Sequence, residues 1–358
     1  MDLQQYPEWE AAIAQIAEEE GIVLLLGGTD AGKTTFCSLL TNAVLGAGRS
    51  VAVLDGDIGQ SEIGPPGCVG LGYPAAPLRA LSDVPPAALA FVGATAPRGN
   101  LLEHAAALRL LADAARAAQP DLLIVDTTGF LQGQSALRLK HAKLALLAPD
   151  HVVALQRRHE CEPALAPLKY RENVRIHRLP VPRVIVPKSP AFRAQRRAGR
   201  FARYFEGAEL RHYNFDDVVM TGTWLNSAPP VAPHLLKFLS DALRVRVFYG
   251  EECDRHLGLV TNVLPQGESG LALAQEQFRA QAITITPAAR LHHLLIGLAD
   301  GNGKLLGLGL IESVDFRRRQ VGVLTPIRAP AAIRLLQFGL LRVKPDGVEI
   351  GANRPGDV

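Results

Sequence analysis

Gly27-Gly28-Thr29-Asp30-Ala31-Gly32-Lys33-Thr34 fits the pattern G-x-x-x-x-G-K-[ST], and its neighbours give the pattern its meaning. Upstream, Gly21 to Leu26 is an aliphatic run of strand length; downstream, Thr34 to Leu45 places Phe36, Leu39, Leu40 and Ala43 at helical spacing. A strand, a glycine-rich turn and an amphipathic helix in that order build a phosphate cradle. Backbone N–H groups of the turn wrap a β-phosphate while the helix aims the positive end of its dipole at the same anion. Lys33 then bridges the β- and γ-oxygens and the Thr34 hydroxyl ligates Mg²⁺. Gly28, Thr29, Asp30, Ala31, Gly32, Lys33, Thr34 and Thr35 are the expected nucleotide contacts.

Outward from this loop, apolar strands alternate with helix-period segments. Val51 to Leu54, Ala90 to Val92, Leu122 to Val125 and His151 to Leu155 read as strands, and Leu101 to Ala118 as a long Ala/Leu-rich helix. Repeated βα units predict an α/β fold, with a doubly wound, mostly parallel sheet forming a P-loop NTPase domain. After about Gly207 the pattern changes to strands and tight turns: Arg244 to Tyr249, Leu294 to Leu298, Leu305 to Ile311 and Val321 to Leu324. Asp300-Gly301-Asn302-Gly303 and Pro345-Asp346-Gly347 carry the turn chemistry of hairpins. The expected division is therefore 1–207, opened by a short helix within 1–20, and a smaller β-rich domain over 208–358.

Bulk composition bounds the function. Of 358 residues, 48% are hydrophobic and 20% charged, as in a folded globular chain rather than a disordered one. The longest aliphatic run, Ile22 to Leu26, is far below the roughly 20 residues that span a bilayer, and the start lacks a secretory n-region, so no membrane association and a cytoplasmic location are expected. Cys37, Cys68, Cys161 and Cys253 show no Cys-x-x-Cys spacing and read as buried free thiols. The net charge of +3 hides an asymmetry: between Leu155 and Phe205 thirteen Lys or Arg face three Glu. Such a stretch is commonly a solvated face and gains meaning only beside a phosphate site.

Carboxylates follow two strands. Val51 to Leu54 runs into Asp55-Gly56-Asp57-Ile58-Gly59-Gln60, and Leu122 to Val125 runs into Asp126. Both lie at the C-terminal strand edge, where open α/β sheets bind ligands. One carboxylate there can hold Mg²⁺ and another can take the proton of an attacking hydroxyl, and the residues alone do not rank the three. The Asn-Lys-x-Asp tetrapeptide of guanine recognition is absent, although Asp126-Thr127-Thr128-Gly129 mimics the D-x-x-G of GTPase switches.

Taken together, Gly27 to Thr34, Asp55 to Gln60 followed by Pro66-Gly67, Phe91 to Asn100, Thr127-Thr128-Gly129-Phe130 and the Arg-rich segment from Arg193 resemble the polynucleotide 5′-hydroxyl kinase family. That family includes the kinase subunit of the pre-mRNA 3′-end cleavage factor, the nucleolar kinase of ribosomal RNA processing and stand-alone microbial relatives. The resemblance spans about residues 20–358 and implies transfer of the γ-phosphate of ATP, with Mg²⁺, to the 5′-hydroxyl of RNA or DNA. It implies Asp57 as general base supported by Gln60, and Asp55 in the metal shell, with Asp126 a secondary candidate. The family's T-x-G-W clasp maps onto Thr127, Thr128, Gly129 and Phe130, where Phe stands for Trp and can still stack on a base. Its R-x-x-x-R lid maps onto Arg193 and Arg197 within a segment of about 190–205, with Arg200 one turn further on the same helical face. The resemblance names no protein partner. Two other readings stay open: a P-loop GTPase or ATPase switch, and a non-catalytic ATP-binding subunit of an RNA-processing complex.

Two further features are weighed. Met1 to Glu20 reads as an acidic amphipathic helix with Trp9, Ile13 and Ile16 on one side. His292-His293, read as strand neighbours, are expected to point to opposite faces and share no ion.

Overall fold

The structure, a computed structural model, describes residues 6–358. The chain forms two compact units, one ending at Arg197 and the other running from Ala198 to Val358. Up to Tyr204 the elements are α1 (Pro7–Ala17), β1 (Gly21–Gly27), α2 (Lys33–Gly46), β2 (Val51–Gly56), β3 (Cys68–Gly72), β4 (Ala88–Phe91), α3 (Leu101–Ala117), β5 (Leu122–Thr127), α4 (Gln134–Leu147), β6 (His151–Gln156), α5 (Glu162–Leu165), β7 (Arg175–Pro180) and α6 (Pro190–Tyr204). The division at 197/198 falls inside α6, ahead of the 207/208 boundary that the change in pattern suggests.

Strand alternation builds both faces of the first unit. In β1, Ile22, Leu24 and Leu26 enter one core with Leu108 and Leu111 of α3 and Leu144 and Leu147 of α4. Val23 and Leu25 enter the other with Phe36 and Leu40 of α2 and Trp9, Ile13 and Ile16 of α1. Each fully buried aliphatic side chain contributes roughly 1.5–3 kcal/mol relative to exposure, so both faces are firmly covered. The sheet order is β4-β3-β2-β5-β1-β6-β7, parallel from β2 through β7, with β3 and β4 added antiparallel at one edge. This is the doubly wound, mostly parallel sheet that the sequence pattern predicts. The order places β5 next to β1 and β2 next to β5, all parallel, so the residues after all three strands open onto one edge.

The second unit is β-rich, with a mostly antiparallel sheet and a three-stranded sheet flanked by helices Pro233–Leu243 and Ser269–Phe278. Both expected hairpins form: Asp300–Gly303 joins Leu294–Ala299 to Leu305–Asp315, and Gly347, at φ 85°, turns the chain toward Glu349–Ala352. Two readings are corrected. Cys253 is exposed, whereas the other three cysteines are buried as expected. His292 and His293 lie in a turn rather than a strand; His293 adopts φ 63°, and the two rings come to 3.7 Å instead of diverging. Among the described residues no helix is long and apolar enough to cross a membrane.

Candidate active site

The phosphate loop leaves β1 and enters α2 through Gly32, whose φ of 90° and tight surroundings admit no side chain: a Cβ would stand 2.3 Å from Ile185 Cδ1 and 3.1 Å from the Trp9 ring. The N-cap residue of α2 is Gly32, and among the described residues no side-chain cap bond closes its first turn, which leaves those N–H groups facing the cradle. Lys33, almost sealed from solvent, donates to Gly27 O at 3.0 Å and Gly28 O at 2.7 Å. Its ammonium thereby holds the loop open in the shape that wraps an anion.

Asp57 follows β2. Its Oδ1 accepts N–H bonds from Gly59 at 3.1 Å and Gln60 at 3.0 Å, while Oδ2 has no protein partner among the described residues. One oxygen is therefore oriented by the backbone and the other is open to a proton. Asp55 is used differently. Oδ1 accepts the Asp57 N–H at 3.0 Å, and Oδ2 accepts from the backbone of Glu62 and from Ile63 at 3.0 Å, with 1% of the residue exposed. It closes the 57–63 turn from inside. That placement weighs against Asp55 in the metal shell, because its lone pairs already face backbone donors.

Asp126 lies against the first helical turn that leaves the phosphate loop. Thr34 Oγ1 donates to Asp126 Oδ2 at 2.7 Å, and Thr127 N donates to Oδ1 at 2.8 Å. Asp55 and Asp126 are in-register neighbours on β2 and β5, so burial first and mutual repulsion second push the Asp55 carboxyl up to about 8. Burial raises Asp126 to about 6, opposed by Lys33 and the Thr34 hydroxyl. An all-oxygen pair of hydroxyl and carboxylate beside a phosphate loop suits a hard divalent cation such as Mg²⁺.

The lid helix α6 begins with Ser189-Pro190; Ser189 Oγ caps Phe192 N at 3.1 Å and Pro190 occupies the first turn. Three contacts fasten it over the loops. Arg193 Nη1 donates to Asp30 Oδ2 at 3.1 Å, Gln60 Nε2 donates to Arg193 O at 3.3 Å, and Arg196 pairs with Glu62 at 2.6 Å. Arg193 Nε and Nη2 have no partner among the described residues. Arg197 is half-buried at the end of the first unit, and Arg200 belongs to the second. Arg196 thus ties α6 to the turn that follows β2.

The clasp segment touches the phosphate loop: a Cβ on Gly129 would lie 2.6 Å from Thr29 N and Cα. Phe130 follows, half-buried. Thr128 Oγ1 is buried without a partner among the described residues. Thr127 is fully sealed; its hydroxyl donates to Leu25 O at 2.7 Å, so it anchors β5 to β1.

Residues 27–207 match the model of the mRNA cleavage and polyadenylation factor CLP1 P-loop family. The chain belongs to this family. It is 31% identical over 331 residues to a polyribonucleotide 5′-hydroxyl-kinase of Methanocaldococcus jannaschii, covering 92% of this chain and 89% of that one. A polyribonucleotide 5′-hydroxyl-kinase of Thermococcus kodakarensis is 29% identical over 334 residues, covering 93% and 91%. Human polyribonucleotide 5′-hydroxyl-kinase Clp1 is 28% identical over 338 residues, covering 88% and 71%. A solved complex of Clp1p with Pcf11p has the same fold at a TM-score of 0.60, with 14% identity and coverage of 96% and 80%.

In this CLP1-family chain the sequence reading missed three buried polar groups beneath the loops. Lys140 and Lys143 of α4 and His104 of α3 are 0%, 1% and 0% exposed. Lys140 Nζ donates to Thr127 Oγ1 at 2.9 Å and Thr128 O at 2.7 Å. Lys143 Nζ lies 3.4 Å from His104 Nε2, which faces Gly56 O at 2.9 Å. A signal exists: Ala136, Leu139, Lys140, Lys143, Leu144 and Leu147 form one buried stripe at helical spacing, so both lysines occupy core positions.

Proposed function

We propose that the chain is an ATP-dependent polynucleotide kinase that phosphorylates the 5′-hydroxyl end of an RNA strand. One observation carries this reading: a circuit of contacts joins three motifs far apart in sequence. Gln60 N holds Asp57 Oδ1, Gln60 Nε2 holds Arg193 O, and Arg193 Nη1 holds Asp30 of the phosphate loop. These contacts support reading Asp57, Arg193 and the phosphate loop as the base, guanidinium and phosphate cradle of one site, as a phosphoryl donor and an alcohol acceptor require.

In the proposed reaction the loop amides and Lys33 bind the β- and γ-phosphates of ATP. Asp57 Oδ2 takes the proton of the 5′-hydroxyl as its oxygen bonds to the γ-phosphorus, and the bond to ADP breaks. The open Nε and Nη2 of Arg193 meet charge on the transferred group and keep water out, favouring transfer over hydrolysis. Thr34 and Asp126 would hold Mg²⁺, which neutralises phosphate charge when bound. Phe130 offers a face for the first base, and the basic stretch from Arg157 to Arg197 suits the strand's phosphates. The free cysteines agree with work in the reducing cytoplasm.

The test is conversion of 5′-hydroxyl RNA by ATP into a strand that a 5′-phosphate-dependent exonuclease degrades. Conversion by the wild type and its loss in Lys33→Ala support the reading; a Lys33→Ala protein that still converts the strand would remove the phosphate loop from the site.

A further inference from the structure

Burying an ammonium group is expensive unless a carboxylate pairs with it, and an apolar side chain of equal volume commonly leaves a core as stable or more so. Among the described residues neither Lys140 nor Lys143 makes an ion pair, yet both are sealed within the stripe of α4 that packs under the sheet. Burial drives Lys140 well below the usual lysine range and Lys143 to about 7. Core stability therefore does not explain them.

What they touch does. Lys140 bonds to Thr128 O, the carbonyl just before Gly129, and Gly129 is the residue pressed onto Thr29 of the phosphate loop. Its second acceptor, Thr127 Oγ1, is itself tied to Leu25 O on the strand that feeds that loop. Lys143 acts one contact further away: His104 Nε2–H donates to Gly56 O, the carbonyl just before Asp57, and the Lys143 amine, close to neutral, lies 3.4 Å from the same nitrogen as a second acceptor of that hydrogen. Three residues apart, the two lysines share one helical face; Lys140 reaches the backbone ahead of one functional segment directly, and Lys143 reaches that ahead of another only through His104.

We propose that α4 positions the acceptor side of the site: Lys140 sets the clasp against the phosphate loop, and Lys143, through His104, sets the Asp57 base. Both are positioning residues that touch no reacting atom, and the proposal rests on the kinase reading above. Lys140 acts on the segment that grips the strand, so its loss weakens strand binding. Lys143 acts on the segment that takes the proton, so its loss slows turnover.

The experiment compares full-length wild type, Lys140→Met, Lys140→Gln and Lys143→Met in steady-state kinetics with 5′-hydroxyl RNA and ATP, beside thermal melting and hydrogen exchange. Loss of one partner of a buried hydrogen bond corresponds to roughly a tenfold to hundredfold effect. Lys140→Met is expected to raise KM for RNA by that factor, with KM for ATP within about twofold, melting temperature held or raised, and faster exchange confined to residues 127–131. Lys140→Gln keeps an NH₂ donor and is expected to recover part of the RNA affinity. Lys143→Met is expected to lower kcat with both KM values nearly unchanged. An unchanged KM for RNA in Lys140→Met, an equal rise in KM for ATP, or unfolding of both Lys140 variants would overturn the proposal. If the wild type phosphorylates no strand, the kinase reading fails, and exchange over 127–131 alone decides whether Lys140 positions the clasp.

Discussion

Asp55 and Asp126 stand side by side at the ends of adjacent strands, yet their hydrogen bonds separate their tasks. Asp55 meets backbone N–H groups on both oxygens, so Asp55→Asn must turn an amide NH₂ against a backbone donor. That variant is expected to lose about 1–3 kcal/mol of stability, read as a lowered unfolding midpoint. Asp126→Asn keeps most of its surroundings but loses the charge facing Thr34, so it is expected to melt near the wild-type temperature while losing Mg²⁺-supported turnover. The reverse pattern, with Asp126→Asn unfolding and Asp55→Asn inactive but stable, would restore Asp55 to the metal. Lys143 gives a pH signature. Its folded pKa of about 7 lies below the ordinary lysine value of about 10.4, so the folded chain binds fewer protons than the unfolded one between those values. The penalty for burying the ammonium is complete below about pH 7 and fades as pH rises. Lys143→Met, which never bears it, should exceed the wild type in melting temperature by more at pH 6.5 than at pH 9. A gap independent of pH would mean that Lys143 does not titrate in this range. Residue identities did not rank the three Asp because ranking needs the order β2-β5-β1, which pairs Asp55 with Asp126 and brings Thr34 onto Asp126.

At the scale of elements, the strand, loop and helix around Lys33 were legible because pattern and motif agree there: a buried run, glycines and a 3.6-residue period meet in twenty-odd residues. β3 and β7 were not. Cys68–Gly72 carries two glycines, and Arg175–Pro180 is a charged edge strand, so neither has the apolar run of a central strand. The lid was legible as an arginine-rich helix, but its fastening through Asp30, Gln60 and Glu62 depends on loops that only the sheet brings together. Arg193 now bridges that helix and the phosphate loop, and its removal should separate transfer from hydrolysis. Arg193→Ala is expected to lower transfer to RNA by at least roughly tenfold while raising the share of ATP released as free phosphate. An unaltered ratio of the two products would place the guanidinium outside the reaction.

Across the whole molecule, a parallel sheet sets the phosphate loop, Asp57 and the Thr127–Phe130 segment on one edge, and α4 meets that last segment through Lys140. The β-rich second unit was legible from its turns, at Asp300–Gly303 above all, while its bearing on the reaction has no counterpart in any motif. The central claim concerns what happens to one phosphoryl group, and its fate is the direct test. ATP labelled at the γ-phosphate is incubated with the full chain, Mg²⁺ and a 5′-hydroxyl RNA, and the RNA is digested to nucleotides. Label is predicted in the 5′-terminal nucleotide, and in Asp57→Asn that signal is predicted to fall by about 10²–10⁴ while ATP still binds. Label recovered only as inorganic phosphate, or transfer that survives in Asp57→Asn, would contradict the account.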